Sequence, residues 1–156
     1  MKKVRLIIAT VLMAMSFGGF AQLPENSTNP KLIAVVNRAN WCAVCKANAE
    51  RFSKVLMPYS VKGVNIYLND LTNETTKEAS KRELEKANAF IAVNTIPRQG
   101  MGKVLKACRL VSDKTQTQDV SGIVTFINPK THKQVKQISI AESDEVITKT
   151  INSLLN

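Results

Sequence analysis

Aromatic residues are few, histidine occurs once, and no apolar run is long enough to cross a bilayer; each scarcity removes a class of function. One Trp, two Tyr and five Phe in 156 residues do not make a platform on which bases stack. The excess of Lys and Arg, 22 against 12 Asp and Glu, is scattered along the chain and reads as a solvated basic surface, so nucleic-acid binding is not expected. Zinc would need two ligands beyond Cys42 and Cys45. Only Cys108 and His132 remain for that, far apart in sequence, so neither a metal nor a small-molecule cofactor is expected. Haem attachment through Cys-x-x-Cys-His fails because position 46 is Lys. Internal repeats and low-complexity tracts are also missing.

The longest apolar run, Leu6 to Met15, follows Lys2, Lys3 and Arg5 and precedes the small-residue step Gly19-Phe20-Ala21. A charged start, a short apolar middle and a small-residue end form a secretory signal peptide over residues 1–21, with cleavage expected after Ala21. No Cys follows the run, so a lipoprotein thioether anchor cannot form there. An uncleaved anchor holding the domain at the membrane face is the alternative. The chain is expected to be exported, periplasmic or secreted. Residues 22–30, with two prolines among polar residues, read as a flexible leader, and 31–156 as one domain.

Leu32 to Val36 is an uninterrupted apolar, β-branched run of strand length, as expected of a central strand buried on both faces. Residues 42–59 carry Val44, Phe52, Val55 and Leu56 at helical spacing, with Pro58 near the end. Val64 to Leu68 predicts a second strand, parallel to the first, which makes a βαβ unit. From Thr72 to Val93 a charged amphipathic helix is expected, capped by Thr72 or Asn73. Asn94 to Gly102 should be irregular, with a short helix around Val104, Leu105 and Cys108. Gly122–Asn128 and Lys133–Ile140, joined by Pro129–His132, form an antiparallel hairpin. A last helix starts at Ser143, with Asp144 and Glu145 in its first turn and Val146, Ile147, Ile151 and Leu154 on one face.

The chemistry concentrates in Ala39-Asn40-Trp41-Cys42-Ala43-Val44-Cys45-Lys46, between a buried strand and a helix. Two Cys at this spacing can close a small disulfide ring. Cys42 falls where free backbone N–H groups and the helix dipole stabilise a thiolate, so its pKa should drop below the free-thiol value of about 8.5 and make it the nucleophile. Cys45, one turn inside the helix and better shielded, suits the resolving thiol.

Ala-x-Trp-Cys-x-x-Cys-Lys after a strand resembles the active-site signature of the thioredoxin-like family. The resemblance implies an α/β thioredoxin fold: a central mixed β-sheet flanked by helices, here with an insertion before the terminal hairpin. It covers residues 31–71 and 120–155, leaving 72–119 as the insertion. It implies catalysis by Cys42 and Cys45, with Trp41 packed beside the disulfide and Lys46 biasing the local potential towards thiolate. It also implies exchange with exported protein thiols or disulfides and with a membrane redox partner.

Two positions depart from the family pattern. The buried acid of the central strand is replaced by Val36, and Val120-Ser121-Gly122 stands where the family has a cis-proline before the hairpin. Ile96-Pro97 is the only other candidate and lies far upstream. Ala43-Val44 matches neither the strongly reducing nor the strongly oxidising members, so the direction of electron flow stays open.

Plainer readings exist beside these. Cys42 and Cys45 could form a static disulfide, although so short a loop constrains the unfolded chain little. Cys108 fits a buried apolar face, His132 a hairpin loop, Lys46 a solvated surface and Trp41 a core position. A thiol:disulfide oxidoreductase is the favoured function class. A non-catalytic binding module with a structural disulfide is the second.

Overall fold

The structure, a computed structural model, describes residues 26–94 and 120–156. In order, the described elements are β1 (Leu32–Arg38), α1 (Ala43–Leu56), a 3₁₀ helix (Met57–Lys62), β2 (Val64–Asp70), α2 (Glu74–Lys86), α3 (Phe90–Asn94), β3 (Ile123–Asn128), β4 (Lys133–Ser139) and α4 (Asp144–Leu155). The four strands form one sheet in the order β2-β1-β3-β4. Strands β1 and β2 run parallel, while β1 with β3 and β3 with β4 run antiparallel. A βαβ unit followed by a hairpin and a helix on one mixed sheet is the thioredoxin fold.

The central place of β1 explains its composition. Leu32, Ala34 and Val36 enter a cluster with Phe52 and Leu56 of α1, Phe126 of β3 and Ile147 and Ile151 of α4. Ile33 and Val35 enter a second cluster with Leu84 of α2, Ala92 and Val93 of α3 and Ile127. Alternate side chains of one strand therefore feed two cores, which requires apolar residues at every position. The sheet fixes the site because its parallel pair ends, at Arg38 and Asp70, beside the start of α1.

Several element boundaries differ from the sequence reading. The first helix stops at Leu56, and Pro58 sits at the start of a 3₁₀ turn that ends on Gly63, whose φ is +92°. Pro is accommodated there because the leading N–H groups of a helix have no partner to lose. The single helix expected over 72–93 is two. Asn88 takes a left-handed φ of 52°, with Ala89 N–H donating to Leu84 O at 2.8 Å and Asn88 N–H to Glu85 O at 3.0 Å. This is a Schellman ending with Asn in place of Gly. Of the two caps considered for α2, Asn73 acts, in a capping box with Thr76.

Val44 and Val146, expected on buried helix faces, are 44% and 42% exposed. Ser143 caps α4 as expected, accepting from Val146 N–H at 3.3 Å. The end of the polar leader is tied down: Ser27 and Asn65 exchange two hydrogen bonds of 2.8 Å, and Ile66 N–H donates to Asn26 Oδ1. Of the region read as an insertion, α2 and α3 occupy 74–94. The irregular stretch with Pro97 and the short helix around Cys108 lie outside the described residues, as does the segment 1–21.

Candidate active site

Cys42 is the N-cap of α1. Its backbone is extended at φ −80°, ψ 110°, and its sulfur accepts the Cys45 N–H at 3.2 Å. The sulfur thus fills the capping role that Ser or Asp oxygens usually take, satisfying one of the helix's free donors. The loop before it is closed by Cys42 N–H to Ala39 O at 3.1 Å, and Lys46 N–H returns to Cys42 O at 3.1 Å. From the loop after β2, Thr72 Oγ1 accepts Asn40 N–H at 3.0 Å. Arg38 pairs with Asp70 at 3.1 Å, bracing the two parallel strands at the same end.

Both thiols are free and buried. Cys45 is the slightly better shielded of the two, as expected, at 6% exposed against 8% for Cys42. What separates them is hydrogen bonding. For Cys42, burial is the largest single influence and opposes ionisation. The Cys45 thiol, the Ser121 hydroxyl and the N–H groups of Cys45 and Val44 together outweigh it and hold the pKa below the ordinary thiol value. For Cys45, burial comes first and raises the pKa; donation of its thiol to Cys42 and the nearness of the Cys42 charge add to that. The Ala39 backbone and Ser121 offset only part. The first thiol is set to ionise and the second to stay protonated.

Of the two supporting residues, Trp41 is 61% exposed. That removes the core-filling alternative and puts an indole on the surface beside Cys42. Lys46 is exposed as well, on the first turn of α1. His132 occupies the hairpin turn with a φ of 53°, remote from the pair. Among the described residues, no group of three or more His, Cys, Asp or Glu is gathered as a metal site would require.

The residues that sequence reasoning did not assign a role are Ser121, Asn37 and Asn69. Gly122, at φ +80°, brings its backbone so close that a Cβ there would lie 3.7 Å from Cys42 Sγ and 3.6 Å from Val44 Cγ1. This is the segment where the family's proline was missed. On the other side of the pair, a cleft of about 500 Å³ opens beside Cys45, walled by Val36, Phe52, Ile66, Leu68 and Arg38.

No protein-family model matches the sequence, and no curated protein matches it significantly. Solved structures do. Trxlp from Edwardsiella tarda EIB202 aligns at 15% identity and a TM-score of 0.39, over 77% of this chain and 81% of that one. MTB dsbF, solved in mixed oxidized and reduced forms, aligns at 17% identity and 0.41, over 80% and 81%. Pseudomonas aeruginosa DsbA2 aligns at 12% identity and 0.42, over 83% and 91%. By its own topology the chain has the thioredoxin fold, with the Cys-x-x-Cys pair at the head of α1.

Proposed function

We propose that the protein is an exported thiol:disulfide oxidoreductase working through Cys42 and Cys45. The observation that carries this reading is the asymmetry of the pair: one capped thiol favoured as thiolate, one buried thiol favoured as thiol, within hydrogen-bonding reach of each other. A static disulfide needs no such difference.

In the reducing direction the Cys42 thiolate attacks one sulfur of a partner disulfide. A Cys42–partner disulfide forms, the partner's own bond breaks, and its other sulfur leaves as thiolate and takes a proton from water. Cys45 then loses its proton and attacks Cys42 Sγ, closing the Cys42–Cys45 disulfide and releasing the second partner thiol. Two electrons have passed to the partner. Reversing each step oxidises a partner dithiol instead. Exported proteins are the expected partners, with a membrane-bound protein regenerating the pair, and the basic, then apolar, first residues support export to the periplasm or beyond. Trp41, exposed and next to Cys42 in the chain, offers an apolar contact for the partner chain, and Lys46 adds positive charge at the first turn of α1.

Cys45→Ser tests the reading. Attack survives and resolution is lost, so partners should accumulate as mixed disulfides on Cys42 that dithiothreitol releases, while Cys42→Ser traps none. Absence of any adduct with Cys45→Ser, together with a pair that does not cycle in a glutathione titration, would point instead to the non-catalytic module. The potential from the same titration assigns direction, reductant towards about −270 mV and oxidant towards about −120 mV.

A further inference from the structure

Two of the buried polar side chains lie close to the thiols. Asn37 and Asn69, 3% and 5% exposed, lie opposite one another in the register of β1 and β2, at the end of the sheet nearest the pair. Val93 and Leu84 show what the same sheet face holds further in, which is apolar packing. Burying two amides there costs free energy unless every polar atom is used for something.

Their bonds form a directed chain. Asn69 Nδ2 donates to Asn37 Oδ1 at 3.0 Å. With its carbonyl so occupied, the Asn37 amide has its Nδ2 facing the other way, where it donates to Val120 O at 3.0 Å. The Asn37 backbone carbonyl accepts Gly122 N–H at 2.8 Å. Gly122 O in turn accepts Ile140 N–H at 3.0 Å. The three-residue segment is therefore held at both ends, and Gly122 rests against Cys42 Sγ with no Cβ between them. Ser121 sits between the two held residues, next to the glycine that meets Cys42 Sγ, and its hydroxyl lies near enough to both thiols to lower their pKa.

Resting on the redox reading for its purpose, we infer that Asn37 and Asn69 are positioning residues. Their paired amides clamp Val120–Gly122 against Cys42 and so hold the Ser121 hydroxyl in place as one of the donors that favour the Cys42 thiolate. The side-chain groups acting on Cys42 are the Cys45 thiol of α1 and the Ser121 hydroxyl of the clamped loop; the N–H groups of Val44 and Cys45 complete the set. All are neutral donors whose effect depends on placement within a few tenths of an ångström, which is what a rigid amide clamp supplies. An acid at either Asn position would lose a donor and bury a charge, so amides are the side chains this chain of bonds requires.

The test is the pH profile of iodoacetamide alkylation at Cys42 in the reduced full chain, resolved by mass spectrometry from Cys45 and Cys108, beside wild-type circular dichroism for each variant. Ser121→Ala should slow alkylation near pH 6 by about 3- to 10-fold and leave the alkaline plateau unchanged. Ser121→Thr, which keeps the hydroxyl, should restore most of the rate. Asn69→Ala should slow it in the same range, and the double variant Ser121→Ala/Asn69→Ala should be no slower than Ser121→Ala alone. Unchanged rates in Ser121→Ala, or multiplied losses in the double variant, would overturn the inference. Since Ser121→Ala removes one hydroxyl and no packing group, it keeps the test decisive even if Asn69→Ala does not fold. Rates that move as expected in a protein that fails to exchange disulfides would sink the redox reading and leave the clamp standing; normal exchange with unmoved rates would do the reverse.

Discussion

The two sides of the Cys42–Cys45 pair are built from different material. On the Cys45 side stands Val36, with Phe52 and Ile66 in the same apolar cluster, where the family's pattern has a buried acid. On the Cys42 side stand a hydroxyl, two buried amides and a left-handed glycine. The difference teaches that stability and thiol chemistry come from separate parts of this protein. The apolar side contributes burial, which stabilises the fold and opposes ionisation of both thiols; the polar side contributes a few placed donors, which change Cys42 far more than they change the fold.

The division can be broken most severely from the apolar side. Phe126 is fully buried between β1 and the helices. Phe126→Ala should cost about 3–5 kcal/mol in urea denaturation, by lost transfer free energy and the cavity left behind. The alkylation profile of Cys42 in the folded fraction should stay where it was. A profile displaced as strongly as the midpoint would show that the two sides are one unit.

A smaller effect is expected from the polar side. At Gly122 the space beside Cys42 Sγ and Val44 would admit a methyl at ordinary contact distance. The cost of Gly122→Ala is therefore conformational, about 1 kcal/mol for an L-residue at φ +80°. The methyl also covers the sulfur, so exchange with a protein disulfide should slow more than exchange with glutathione. Equal slowing for both would mean that partners do not approach over this loop.

The smallest effect sharpens the comparison away from the thiols. Asp70 is partly buried. Burial is the largest single influence on its carboxyl and acts to raise the pKa, but the Thr72 hydroxyl and N–H and then Arg38 outweigh it and hold the carboxyl below its usual range. A carboxylate depressed on folding contributes stability that is full above its unfolded pKa of about 3.9 and is lost as pH falls through the lower folded value. Asp70→Asn should thus cost about 1 kcal/mol or less at neutral pH. The gap between variant and wild type should close as pH drops below that range. A gap that persists in acid would assign Asp70 a role other than its charge.

Much of the fold was legible in the residues. An unbroken β-branched run marked β1 as central because a strand covered on both faces has no polar side to show. Ser143 and Asn73 marked helix starts because free N–H groups need an acceptor. The break at Asn88 was harder to read, since its neighbours keep helical composition and only the left-handed tolerance of Asn hints at an ending. Val44 and Val146 misled because helical spacing reports a face, whereas burial depends on what stands opposite. The Cys pair was legible as the head of α1, and Cys42 does cap its helix. How nearly buried Cys42 itself is was not, because accessibility at a helix start depends on which loop leans over it.

By itself the sequence determined the strand-to-helix placement of Cys42 and Cys45 and the order of elements, since both follow from capping, periodicity and turn chemistry among near neighbours. Only the tertiary structure decided what tunes the first thiol. Asn37 and Val120 lie 83 residues apart, and nothing in local spacing relates them. They meet because β3 pairs antiparallel with β1, beside which β2 runs parallel, so the ends of three strands and the loop before the hairpin converge at the head of α1. A donor that acts only within hydrogen-bond distance has no meaning until that convergence exists.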